Sequence, residues 1–154
     1  MKERPKKYIA IKNVRLEHQR QVMEVIAKAD HCPFCPENLS KYHKMPILRE
    51  TSHWLLTTNQ WPYEHTKIHL VAIHKSHVET LRELSDEAGA ELFQLFKWAQ
   101  QTYNVPGGAF AMRFGDLEHS AGTVAHIHAQ FIQPDINAAD YEPVRFKIGS
   151  VKQK

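Results

Sequence analysis

The spacing of apolar and polar positions sorts the chain into short elements. Val22, Met23 and Ile26 recur at helical spacing and predict a helix over residues 16–29. Residues 30–46, with three prolines and both cysteines, read as a loop holding one turn of helix. Leu55-Leu56-Thr57-Thr58 and Ile68-His69-Leu70-Val71-Ala72-Ile73 read as strands, with Ile47-Leu48-Arg49 as a partner of the first. Pro62 biases Trp61 away from helix, so residues 59–63 form a turn. Ser76 and Glu79 stand at capping-box spacing and predict a short helix to Leu84. Ser85 caps a longer helix whose apolar face is Ala88, Leu92, Leu95, Phe96, Ala99 and Tyr103. A strand follows over residues 109–114, then a loop over 116–122. Another strand runs from His126 to Ile132 and is stopped by Pro134. Val144-Arg145-Phe146-Lys147-Ile148 alternates like a late edge strand.

Strands joined by hairpins around one block of helices make an α+β pattern, not alternating βαβ. The expected architecture is an antiparallel sheet of about five strands with its helices on one face. At 154 residues the length is that of one domain, drawn as residues 16–148 with a basic segment before it (1–15) and a tail after it (149–154).

Charge changes the picture only at the ends. The net charge is +3, but residues 1–15 carry +5 and residues 145–154 carry +4, leaving −6 for the stretch between. A basic face for nucleic acid is therefore not expected, although terminal arms could touch phosphates. No apolar run reaches the roughly 20 residues of a membrane span, and the basic start lacks a secretory apolar stretch. The expectation is a cytoplasmic protein without membrane contact.

The candidate chemistry is concentrated in eleven histidines and two cysteines. Cys32-Pro33-Phe34-Cys35 is a two-residue-spaced thiol pair, half of a tetrahedral zinc site, and two histidines would complete it. Along Ser120-Ala121-Gly122-Thr123-Val124-Ala125-His126-Ile127-His128-Ala129-Gln130, strand alternation places His126, His128 and Gln130 on one face. Ile127, Ala129 and Phe131 then face the core. The small residues before them would let backbone approach a phosphate, with Ser120, Gly122 and Thr123 as donors.

This His-x-His-x-Gln pattern resembles the histidine triad (HIT) superfamily. The glutamine in third place resembles its galactose-1-phosphate uridylyltransferase and dinucleoside polyphosphate phosphorylase branches. Cys32-Pro33-Phe34-Cys35-Pro36-Glu37-Asn38 resembles the zinc-binding start of the uridylyltransferases. Asn59-Gln60-Trp61-Pro62-Tyr63 resembles a phosphorylase segment, and His69–His77 resembles the family's strand and helix start. The chain departs from the pattern at His74, where the family usually has proline, and at Ile68, where glycine often stands. It also has no asparagine in the loop before the triad.

The resemblance implies a HIT-like fold, a homodimer, and a structural Zn2+ on Cys32, Cys35, His77 and His126, with His53, His69 and His74 as substitutes. It implies nucleotidyl transfer or phosphorolysis at a nucleotide phosphoanhydride. His128 is then the nucleophile, oriented through the His126 carbonyl, Gln130 steadies phosphate charge, and Asn59 lies on the nucleotide side. An amide cannot deliver a proton, so leaving groups that depart without one are favoured. His119 is a replacement acid or a surface residue. Trp61 and Tyr63 pack or line a base pocket. The alternatives are a hydrolase using water as acceptor, and a zinc-stabilised nucleotide-binding module with little turnover.

Overall fold

A computed structural model describes residues 8–152. Its elements are α1 (Glu17–Ala29), α2 (Pro36–Tyr42), β1 (Ile47–Glu50), β2 (Trp54–Thr58), β3 (Thr66–His74), α3 (Asp86–Thr102), β4 (Ala109–Met112), α4 (Leu117–Ser120) and β5 (His128–Pro134). Two 3-10 turns, Ile11–Asn13 and Leu81–Glu83, complete the set. The five strands form one antiparallel sheet in the order β1-β2-β3-β5-β4.

The sheet's register decides what faces what. Directly paired residues share a face, and the pairs Leu56–Ala72 and Ala72–Ala129 lie on one side. There, Leu56, Leu70, Ala72, Ala129 and Phe131 pack against the buried stripe Ala88, Leu92, Leu95, Phe96 and Ala99 of α3. The Ser85 hydroxyl caps this helix by accepting from the Ala88 N–H. The opposite face carries the pairs Ile73–His128 and Val71–Gln130. Beside them Leu39 of α2 and Phe34 pack against Val71, Ile73 and Leu55. β3 is thus covered on both sides, which is why Leu70-Val71-Ala72-Ile73 is continuously apolar.

Four local expectations are corrected. The capping box forms at Thr80 and Glu83, not at Ser76 and Glu79, because the Glu79 carboxylate is taken by His77 Nε2 at 2.9 Å. The run 144–148 is not a strand: Phe146 covers the Arg113 guanidinium, and the Lys147 carbonyl accepts from it. The last strand begins at His128 rather than at His126. The backbone just before it is held by the N-terminal segment, through Ala10 N–H to the Thr123 carbonyl, Ala125 N–H to the Tyr8 carbonyl, and an Ile9–Val124 bridge. For the same reason the boundary at residue 15 is not the edge of the packed body, since Ile9, Ala10 and Val14 are buried. Likewise Ser150 of the C-terminal tail shares its one hydroxyl proton between Asn13 Oδ1 and the Leu117 carbonyl. Residues 1–7 of the basic segment lie outside the described residues.

Candidate active site and metal centre

Two clusters meet where β5 begins. In the first, Cys32, Cys35, His77 and His126 bring one sulfur or nitrogen each to within 4.8 Å of one another. Cys32 Sγ lies 3.3 Å from His126 Nδ1, and Cys35 Sγ lies 3.3 Å from His77 Nδ1 and 3.8 Å from His126 Nδ1. A tetrahedron with legs of about 2.3 Å to sulfur and about 2.0 Å to nitrogen has edges of about 3.3–3.8 Å, so the spacing fits zinc. The outer nitrogens agree with this. His126 Nε2 donates to the His74 carbonyl at 2.6 Å and His77 Nε2 to Glu79 Oε1 at 2.9 Å. Both Nδ1 lone pairs are thereby turned toward the sulfurs, the arrangement in which an outer partner sets the tautomer of a metal-binding histidine. Burial pushes the Cys32 thiol up and lowers His126 to about 4. A cation among them would restore the thiolates. The substitutes lie elsewhere: His53 pairs with Glu91, His69 with Gln130, and the His74 ring with the Ser76 backbone.

In the second cluster His128 and Gln130 line one cleft with Asn59, Trp61, Tyr63 and Thr123. His128 Nδ1 donates to the His126 carbonyl at 2.7 Å, which puts the ring's lone pair on Nε2. Burial, with the charge of Arg113 adding to it, lowers His128 to about 4 and keeps the ring neutral. Phe34 meets the His128 ring edge-on at 5.0 Å.

Gln130 is oriented by a relay that sequence reasoning did not find. The Tyr63 N–H donates to His69 Nδ1 at 3.0 Å, so the His69 proton sits on Nε2. That N–H donates to Gln130 Oε1 at 2.6 Å, and Asn59 Nδ2 donates to the same oxygen at 3.1 Å. The Gln130 carbonyl oxygen thus accepts two hydrogen bonds, which identifies the other end of the amide as its NH2 donor.

Of the small-residue loop, Thr123 reaches the cleft, whereas Ser120 and Gly122 are not part of its wall. Ser120 is buried with its hydroxyl accepting from Gly122 N–H, and a Cβ at Gly122 would meet Leu117 and Ser120 at 3.2 Å. Their smallness serves a tight turn through Ala121, whose φ is +61°. His119 stands on the surface, 91% exposed and paired with Asp116. The cleft also holds Arg15, His43, Arg113 and Lys147, none of which carried a sequence signal.

No protein-family model and no curated protein matches the sequence. Solved structures do. A hypothetical protein from Leishmania major aligns over 82% of this chain and 85% of its own, at 26% identity and a TM-score of 0.57. A zinc-bound histidine triad family protein from Mycobacterium smegmatis aligns over 75% and 82%, at 22% and 0.53. The chain has the histidine-triad fold. A histidine triad nucleotide-binding protein from Candida albicans shares it over 80% of this chain and 85% of that one, at 19% identity and a TM-score of 0.56.

Proposed function

We propose that this chain is a histidine-triad nucleotidyltransferase or phosphorylase acting on a nucleotide phosphoanhydride through a nucleotidyl-His128 intermediate. The observation that carries this is the bond from His128 Nδ1 to the His126 carbonyl, which presents a neutral Nε2 to a cleft shared with the Gln130 amide. His128 Nε2 attacks the α-phosphorus, a P–N bond forms, and the P–O bond to the leaving group breaks with its electron pair. An oxygen of the acceptor then attacks the same phosphorus, and the pair of the P–N bond returns to Nε2. The Gln130 NH2 donates to a nonbridging oxygen as charge builds there; such a donor is worth about 3 kcal/mol. Gln130 supplies no proton, and His119 lies outside the cleft, so the site suits leaving groups that depart as anions.

Zinc on Cys32, Cys35, His77 and His126 is structural in this reading: four protein ligands leave no position for substrate. Bound there, zinc would fix the His126 ring, and the His126 carbonyl, the acceptor of the His128 bond, would be held with it. A cytoplasmic location belongs to the same proposal, because a thiol pair used for a metal needs no oxidising compartment; no helix among the described residues is long and apolar enough to cross a membrane. The homodimer belongs to the same proposal. It is supported by β4, one of the two edge strands of the sheet, where Phe110 is 48% exposed beside Phe93 at 61%.

The test is incubation with diadenosine polyphosphates and nucleotide sugars, with and without inorganic phosphate, followed by intact-mass measurement without acid. A nucleotidyl adduct on the wild-type chain, absent from His128→Ala, is the expected result. Normal turnover by His128→Ala would refute the covalent route.

A further inference from the structure

The cleft that holds His128 is lined by three cations, Arg15, Arg113 and Lys147, and by no carboxylate. Arg113 is the best placed. It leaves β4 half-buried, with Nη1 donating to the Tyr63 hydroxyl at 2.8 Å, and Nε and Nη2 donating to the Lys147 carbonyl at 3.1 and 2.8 Å. Its guanidinium lies 3.8 Å from the centre of the Phe146 ring. Three of its five N–H groups are thus used to fix it, and two are left. Arg15 stacks 4.4 Å over the other side of this arrangement, on Tyr63, and donates Nη2 to the Trp61 carbonyl at 2.6 Å. Among the described residues none of the three cations forms a salt bridge. Glu64 is a carboxylate whose charge reaches Arg15, but it is not part of the cleft wall; holding the half-buried Arg113 guanidinium rigid beside a second cation in a cleft without a carboxylate is unfavourable unless an anion joins them.

We propose that Arg15, Arg113 and Lys147 form a phosphate subsite for the group on the far side of the α-phosphorus from His128. This rests on the covalent reading above and extends it to the leaving and accepting groups. In a double displacement at phosphorus, His128 enters opposite the leaving group. The acceptor must then enter opposite His128, through the space the leaving group vacated. One anion subsite therefore serves two occupants in turn. The first is the departing phosphate of the nucleotide substrate, which leaves with the P–O electron pair. The second is a phosphate or phosphomonoester dianion, whose oxygen lone pair forms the new P–O bond as the P–N pair returns to Nε2. Neither step requires a proton from the protein, consistent with an amide at position 130. The selected chemistry is transfer between phosphate groups, with water a poor competitor because it cannot hold the three cations.

The subsite is tested without turnover by calorimetric titration of tripolyphosphate and, separately, of adenosine monophosphate. Arg113→Met should weaken tripolyphosphate binding at least about tenfold, the loss expected for charge-assisted hydrogen bonds, and monophosphate binding by less than about threefold. Lys147→Met keeps the carbonyl that holds Arg113, so it folds even if Arg113→Met does not, and it should weaken tripolyphosphate about threefold or more. Equal losses for both ligands in both variants, or no loss in Lys147→Met and Arg15→Met alike, would overturn the proposal. The two occupants separate in a second arm, in which preformed adduct on wild-type protein is mixed with inorganic phosphate. Saturable acceleration of adduct loss identifies the subsite as the acceptor's. Unaccelerated loss with tripolyphosphate binding intact identifies it as the leaving phosphate's. Absence of any adduct, with tripolyphosphate binding still dependent on Lys147, would reject the covalent reading and leave the anion subsite standing.

Discussion

Replacing Gln130 with glutamate or with alanine separates what the side chain does for the fold from what it does for the reaction. Gln130 is 5% exposed, and its Oε1 accepts from both His69 Nε2 and Asn59 Nδ2. Gln130→Glu keeps an acceptor for both donors and removes the NH2. Gln130→Ala removes both, leaving the buried His69 donor and the half-buried Asn59 donor unpaired, at about 1–3 kcal/mol each and least for Asn59. In a domain of this size about 1 kcal/mol moves the melting temperature by roughly 2–4 °C. Gln130→Ala should therefore melt roughly 5–15 °C lower, and Gln130→Glu within a few degrees of wild type at pH 7.5. The rate of adduct formation should fall in both, by about 100- to 1,000-fold for loss of the donor. It should fall further in Gln130→Glu, where a carboxylate meets the phosphate. Single-turnover mass measurement of the adduct and thermal unfolding on the same zinc-loaded preparations read both quantities. A second signature distinguishes the variants: when protonated at lower pH, the introduced carboxyl regains a donor, so Gln130→Glu recovers rate as pH falls and Gln130→Ala does not. If Gln130→Glu reacted within tenfold of wild type at pH 7.5, the donor role would be wrong. If it were as unstable as Gln130→Ala, the relay through His69 would be wrong.

Further outcomes follow from the same geometry. Gln130→His places a ring nitrogen against the two donors and turns its N–H to the cleft, so nucleoside phosphoramidates should gain on phosphoanhydrides; an unchanged rate ratio would remove the leaving-group preference. One zinc per chain should be found by elemental analysis of protein purified without chelator, and Cys32→Ser or chelation should lower the melting temperature by several degrees or more; metal-free protein of full stability would exclude the site. Burial above all, aided by the charges of Arg15 and Arg113, lowers His69 to about 4 against the usual 6.5. The unfolded chain then takes a proton that the folded chain refuses between those values, so stability falls as pH drops through about 6.5 to 4. The loss is about 1.4 kcal/mol per pH unit and about 3 kcal/mol in all. His69→Gln lacks this component, and its stability deficit against wild type should shrink from pH 7 to pH 5 in denaturant titrations; a constant deficit would contradict the neutral buried ring.

What could be read from the chain alone was whatever repeats locally. The stripe from Ala88 to Ala99, the strand runs at 55–58 and 68–73, and the alternation of His128 and Gln130 against Ala129 and Phe131 each depend on a period of 3.6 or 2, which a short window contains. The Cys32–Cys35 spacing is local in the same way. Choosing its partners is not: Cys32 and His126 are 94 positions apart, and eleven histidines offered themselves until the fold brought His77 and His126 to the sulfurs. Competition between local signals was also decided at a distance. Ser76 and Glu79 form no capping box because His77 holds the Glu79 carboxylate, and the alternation at 144–148 wraps Arg113 instead of pairing with a strand. The phosphate-binding cations show the limit most clearly. Arg15 lies in the basic beginning of the chain, Lys147 in its basic end, and Arg113 just past a strand. Read singly, each is an ordinary solvated charge. The fold brings Arg15 and Lys147 to one cleft because the first segment pairs, across more than a hundred residues, with the backbone before β5, and Arg113 clasps the Lys147 carbonyl across 34; neither pairing leaves a periodicity in the sequence.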